Sequence, residues 1–322
     1  MSDAAIGSEN LVKVYKEKSS RPVLALDGLT LDVREGEIFG LLGRNGAGKT
    51  TFLRIITTLL PPTSGKASVL GLDVTRAALE VRKNICVVLQ ENAVELYLSV
   101  MDNLATFARF HSILRGEIER RAKRVIEQFG LGEHVNQKVI DLSGGLKRRL
   151  QVAKVFMVDK PVVFLDEATT GMDPINKRTT IEAIREEARK GRTIFLTTHI
   201  LQEAEELCDS IAIIDRGQCV AKGDPQTIKS LVANILEVTL TFDPLSEAVL
   251  NELRQLDLIT FAHRNNTVEL CVRGGQVSLL ELITKLSREH KVVHFEINSP
   301  TLEDAFIELL GRNLHPTEGA SV

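Results

Sequence analysis

Three short stretches of this 322-residue chain carry residues whose types and spacing can do chemistry. The first is GRNGAGKTT, residues 43–51. Gly43, Gly48, Lys49 and Thr50 fit the spacing G-x(4)-G-K-[ST], a loop that cradles phosphates. Glycines let backbone amides converge on a phosphate, Lys49 reaches its outer oxygens, and Thr50 offers a hydroxyl to Mg2+. Asn45 and Gly46 complete the loop, and Thr51 extends it toward the next element. The second stretch is VVFLDE, residues 162–167, an apolar run ending in two acids. Two acids after a strand commonly do no more than begin a loop. Beside a phosphate loop, Asp166 can hold Mg2+, often through water, and Glu167 can polarise an attacking water. The third is LSGGLKRR, residues 142–149. Here a hydroxyl, Ser143, and two bare amides, Gly144 and Gly145, head a helical run and form a second seat for an anion.

These residues need elements to position them. IFGLL (38–42) reads as a buried strand running straight into the glycine loop, and KTTFLRIITTLL as a helix that must stop before Pro61-Pro62. Ahead of them NLVKVYK and VLALDGLTLDV are strand-like, the latter closed by a turn at Glu35-Gly36. After the strand ICVVLQ, the runs VMDNLATFARFHSIL and EIERRAKRVIEQFGL have helical periodicity and form a helical insert over residues 91–141. PVVFLDE, TIFLTT and SIAIIDRGQ are strands. Between them lie the helix HILQEAEELC and a helix with Asp173 as N-cap, Pro174 first and Gly191 as its stop. Such alternation implies a mainly parallel sheet with helices on both faces. Beyond Lys229 the runs read β-α-β-β-α-β, a small ferredoxin-like α+β domain. TLEDAFIELLG closes it as a helix capped by Ser299 or Thr301. The expected domains are 1–230 and 231–312, with a disordered tail over 313–322.

In order along the chain, Tyr15, the phosphate loop, Gln90, LSGGL, VVFLDE, ATTGMD and His199 resemble the motif series of the nucleotide-binding subunit of an ABC transporter. The resemblance covers residues 9 to about 230. It implies an α/β P-loop NTPase fold of the ABC ATPase type, with a mixed core sheet, an antiparallel β subdomain and a helical subdomain. It further implies ATP and Mg2+ as cofactors. In that family Tyr15 would stack on adenine, and Asp173 would be the aspartate of the loop beside the nucleotide. Gln90 would touch Mg2+ or the attacking water, and His199 would contact the γ-phosphate. Catalysis would then rest on Glu167, His199 and Gln90, and the metal on Thr50, Gln90 and Asp166. The second cradle is explained by a second copy: Ser143, Gly144 and Gly145 would grip the γ-phosphate of ATP held by the partner. Leu146 departs from the glutamine most members carry there, so any polar contact from that side chain is lost. An apolar residue followed by KRRL resembles the drug- and antibiotic-resistance exporter branch, as does the ending SPTLEDAFIELLGR. Lys147, Arg148 and Arg149 are expected to form a solvated face.

Composition limits the alternatives. The chain is 43% hydrophobic and 26% charged with a net charge of −3, so it has ordinary cores and no bias toward a nucleic-acid backbone. Apolar runs such as VVFL and IAII fall far below the roughly 18 residues that suggest a membrane span. MSDAAIGSEN has neither a basic n-region nor an apolar h-region, so it does not read as a secretory signal. Cys86, Cys208, Cys219 and Cys271 show no CxxC pairing and read as reduced core thiols of a cytosolic protein. The expectation is therefore an ATP-hydrolysing subunit that dimerises, with itself or a similar subunit, around two ATP-Mg2+. It would be peripheral on the inner face of the membrane and would drive a separate membrane-spanning permease, exporting drug-like or lipid-like molecules. An importer ATPase shares every catalytic motif. An ABC protein acting on ribosomes or DNA would normally carry two phosphate loops or a long coiled-coil insert. After Gln90, the apolar trio Leu96, Tyr97 and Leu98 is either core or a surface for the permease.

Overall fold

The computed structural model describes residues 4–16, 22–89, 93–232, 235–273, 276–298 and 300–314. Gln90, Ser299 and the tail 315–322 lie outside these. The chain forms two compact units, Met1–Lys222 and Gly223–Val322.

In the first unit, β1 (Ala4–Tyr15) and β2 (Val23–Arg34) pair antiparallel and lead into β3 (Ile38–Leu42). Then come α1 (Lys49–Ile56), β4 (Ser64–Val69), β5 (Leu72–Asp73), α2 (Ala78–Asn84) and β6 (Ile85–Val88). Three helices come next, α3 (Val100–Phe110), α4 (Arg115–Gln128) and α5 (Gly144–Val155). The unit finishes with β7 (Val162–Asp166), α6 (Pro174–Arg189), β8 (Thr193–Thr198), α7 (Leu201–Leu207), β9 (Ser210–Asp215) and β10 (Gln218–Gly223). One sheet has the order β2-β1-β4-β5 and the other β10-β9-β3-β8-β7-β6. In the second sheet β9, β3, β8, β7 and β6 run parallel to one another. β3, β7 and β8 are buried along their whole length, as parallel strands covered on both faces must be. The ring of Phe195 on β8 lies 5.5 Å from Phe39 on β3, 5.7 Å from Phe52 on α1 and 5.7 Å from Phe164 on β7. This aromatic hub fixes α1 over the sheet.

The carboxyl ends of β3, β8 and β7 therefore lie side by side, and the residues just past each strand converge. That convergence is what the fold contributes to chemistry.

Some elements differ from the sequence reading. β1 starts at Ala4, ahead of the NLVKVYK run, and β4, β5 and α2 carry no strong periodic signal of their own. α1 ends at Ile56, well before Pro61, because Thr58 adopts φ +65°. The Arg54 carbonyl then accepts from the amides of Leu59 and Leu60 instead of continuing the helix.

The second unit begins with α8 (Pro225–Ser230), which packs against its last helix and so belongs with it. It continues β11 (Ile235–Phe242), α9 (Glu247–Leu253), β12 (Leu258–Arg264), β13 (Thr267–Arg273), α10 (Gln276–Glu289), β14 (Val292–Asn298) and α11 (Leu302–Leu314). The sheet order β12-β13-β11-β14, antiparallel throughout, is ferredoxin-like. Leu236, Val238, Leu240 and Phe242 of β11 pack under Val249, Leu253, Ile283 and Leu286 of the helices. At the head of α11, Thr301 is the cap: its hydroxyl accepts from the Asp304 amide, and the Asp304 carboxylate accepts from the Thr301 amide. Residues 313 and 314, expected in the tail, belong to this helix.

Candidate functional site: the phosphate loop and the strand ends beside it

The loop after β3 is shaped by neighbours that leave no room for side chains. Gly48 has φ +112°, and a Cβ there would stand 2.6 Å from the Ala25 carbonyl oxygen. From the other side the tight turn between β9 and β10 closes in: the Gly217 amide donates to the Ala47 carbonyl at 2.9 Å, and the Asp27 amide to Gly217 at 3.0 Å. Lys49 opens α1, its ammonium donating to the carbonyls of Gly43 (2.6 Å) and Arg44 (3.2 Å). Burial pushes its pKa below the ordinary lysine value, against the opposing pull of Glu167 and Asp166.

A cleft of about 520 Å³ is bounded by Asn45, Gly46, Lys49, Thr50 and Thr51 of this loop, with Glu167 and His199 facing them. Glu167 comes directly after β7 with φ +52°, its amide donating to the Thr197 carbonyl at 3.0 Å. Its Oε1 is 2.9 Å from Nδ1 of His199, the residue just past β8. Asp166 is 3% exposed and takes a hydrogen bond from the Thr197 hydroxyl. Burial raises its pKa, and the Glu167 charge adds to the rise, while Thr197, Arg148 and Lys49 oppose it. Tyr15 reaches the same loop from the end of β1, its hydroxyl 3.4 Å from the Thr51 hydroxyl.

The residues singled out in the sequence thus fall into two groups. The phosphate loop, Glu167 and His199 meet in one cleft, with Asp166 directly behind and Tyr15 at the edge. Ser143, Gly144 and Asp173 are exposed elsewhere on the unit. Ser143 caps α5, accepting from the Leu146 amide at 3.3 Å, and Asp173 caps α6, accepting from Ile175 (3.1 Å) and Asn176 (3.0 Å). These accepted bonds hold the Asp173 pKa below the ordinary range. A Cβ on Gly145 would lie 3.4 Å from the Met172 backbone, so the two caps are neighbours.

One expectation fails. Arg148 and Arg149 are not a solvated face; they are 7% and 4% exposed. Arg149 donates to the carbonyls of Phe129 (3.3 Å) and Gly130 (3.2 Å) at the end of α4. Arg148 reaches the carbonyls of Leu89, Asp166 and Glu167. Lys147 alone stays half-buried, its ammonium on the Ile140 carbonyl at 2.9 Å. Cationic residues at helical spacing usually face water, and nothing local signals otherwise. The sequence reading also passed over Thr197 and Gln151. The threonine could have been suspected, being a hydroxyl at a strand end close before His199.

A strand, a glycine loop and a helix N-terminus facing an acid-histidine pair define a P-loop nucleotide-binding protein. A family model for the ABC transporter matches residues 26–170. Over 98% of its length the chain is 36% identical to the daunorubicin/doxorubicin resistance ATP-binding protein DrrA of Streptomyces peucetius, covering 94% of that protein. It is 30% identical to the linearmycin resistance ATP-binding protein LnrL of Bacillus subtilis, across 95% of the chain and 98% of the relative. To the Nod factor export ATP-binding protein I of Neorhizobium galegae it is 34% identical, across 96% and 86%. A solved ATP-binding subunit of an ABC transporter superposes with a TM-score of 0.62 at 27% identity, covering 70% of this chain and 92% of that one. This chain belongs to the ABC transporter family, among its ATP-binding subunits, the ABC ATPases. Among the described residues no helix is long and apolar enough to cross a membrane.

Proposed function

We propose that the chain hydrolyses ATP in the cleft between the phosphate loop and Glu167, as the motor of an exporter. The observation that carries the reading is the Glu167–His199 pair at 2.9 Å, facing the phosphate loop across one cleft. Amides of Gly46 and Gly48 and the Lys49 ammonium bind the phosphates. Glu167 takes a proton from the attacking water, and its left-handed backbone aims the carboxylate into the cleft. A carboxylate can only accept, so His199 donates from Nδ1 to Glu167. Thr50 and Asp166 offer only hard oxygen donors, and the buried carboxylate beside Glu167 gathers negative charge that a cation would neutralise. This set fits Mg2+, which when bound neutralises charge on the β- and γ-phosphates. Tyr15 would stack on adenine; Gln90, expected to touch the metal or the attacking water, lies outside the described residues.

Ser143, Gly144 and Gly145, with Asp173 beside them, form the second seat and close on ATP held by another copy or a similar subunit. The relatives named for drug resistance and for Nod factor export support export, through a separate membrane-spanning partner that would hold this subunit at the inner face of the membrane. Tyr97, 77% exposed beside Leu96, is the candidate contact for that partner. Glu167→Gln should bind ATP normally yet turn it over about 10²- to 10⁴-fold more slowly. Lys49→Ala should lose nucleotide binding itself. Wild-type turnover by Glu167→Gln would reject the assignment of the base.

A further inference from the structure

Arg148 is a buried cation whose hydrogen bonds go to uncharged oxygens. Nη1 donates to the Leu89 carbonyl at 2.8 Å and to Gln151 Oε1 at 2.9 Å. Nη2 donates to the carbonyls of Asp166 and of Glu167, the latter at 3.1 Å. Gln151, one turn further along α5, donates to the same Leu89 oxygen at 3.0 Å. A guanidinium is costly to bury, and burial lowers its pKa here. The place explains its use. β6 and β7 pair in parallel up to Val88 and Leu165, and the next residues, Leu89 and Asp166, lie beyond that pairing. Arg148 bridges their carbonyls at the point where the strands part. Its planar fork spans both, which the single ammonium of a lysine cannot.

We infer that Arg148 is the positioning residue through which the Ser143 helix sets the geometry of Glu167. The clamp holds the Glu167 carbonyl while the Glu167 amide is fixed on Thr197, so the φ +52° backbone is gripped from both sides. Arg148 sits on the helix that Ser143 caps, so a shift of α5 when Ser143 engages phosphate is transmitted to the carboxylate that meets His199. The inference rests on the proposed role of Glu167 as base.

The test is kinetic, on the full chain. Arg148→Gln should lower kcat about 10²-fold, the scale of a small misplacement of a catalytic group, with the ATP dissociation constant within about twofold of wild type. Arg148→Lys should recover only part of that loss. In the Glu167→Gln background, Arg148→Gln should change the residual rate by less than about twofold, since the group it positions is gone. Additive losses in that double variant, or a parallel loss of ATP affinity, would make Arg148 a structural residue only. An unchanged kcat would also overturn the inference. If Arg148→Gln does not fold, Gln151→Leu, which loosens the same clamp at Leu89, goes through the same cycle with the same criteria. A Glu167→Gln chain with normal turnover would instead reject the base assignment.

Discussion

Glu167 and His199 stand 32 positions apart in sequence and 2.9 Å apart in space because β7 and β8 are parallel neighbours that end together. Each is visible in the sequence as a polar residue at the end of an apolar run. Arg149 is not, and it supports a further prediction. Its guanidinium donates to two carbonyls at the end of α4, and Arg149→Ala would take that donor from the one belonging to buried Phe129. The change should cost about 1–3 kcal/mol, measured as a lowered midpoint of urea unfolding. An unshifted midpoint would mean that water replaces the guanidinium there. Leu146 illustrates the opposite case. The Ser143 hydroxyl takes its bond from the Leu146 backbone amide, so the cap survives the missing glutamine side chain.

At the scale of elements, α11 and β11 place acids close together. Burial raises the Glu237 carboxyl to about 7, and Asp304, Glu303 and Glu269 add to the rise. Cys271 on β13 is pushed up to about 12 by burial, with Asp304, Glu237 and Glu308 adding to the rise. The folded pKa of Glu237 exceeds its unfolded value of 4.5, so the folded state binds the extra proton. Its contribution to stability is complete below about pH 4.5 and is lost as pH rises through 7. Glu237→Gln should therefore match wild type near pH 4.5 and melt at a higher temperature near pH 8. Parallel melting curves across that range would show that Glu237 titrates normally. Such a pair is invisible in sequence, where Glu237 and Asp304 lie on different elements. The sequence left the cap of α11 open between Ser299 and Thr301; the bonds between Thr301 and Asp304 make Thr301 the cap.

At the scale of the whole molecule, the two phosphate seats make a prediction about assembly. If each site combines the phosphate loop of one copy with Ser143 of the other, Lys49→Ala and Ser143→Arg chains complement each other. A mixed dimer then carries both lesions in one site and leaves the other intact. Mixing two inactive proteins should restore ATP hydrolysis. No recovery, with mixed dimers present on a sizing column, would place both seats of a site in one chain. For the surface near α3, Tyr97→Asp should leave the chain folded and able to bind ATP but weaken its recovery with membranes. Unfolding of that variant would assign the cluster to the core, and normal assembly would remove it from the contact.

The sequence by itself determined the local patterns on which the proposed chemistry rests: the spacing of Gly43, Gly48, Lys49 and Thr50, the acids closing VVFLDE and the cap at Asp173. Local steric and hydrogen-bonding rules act over a few residues, so such patterns can be read in a line. The tertiary structure decided which helix clamps which strand and where α8 belongs. It decided the burial of Arg148 because the acceptors that make it tolerable, Asp166 and Leu89, lie 18 and 59 positions away. Burial of charge depends on such distant partners, and only the packed sheet brings them to the guanidinium.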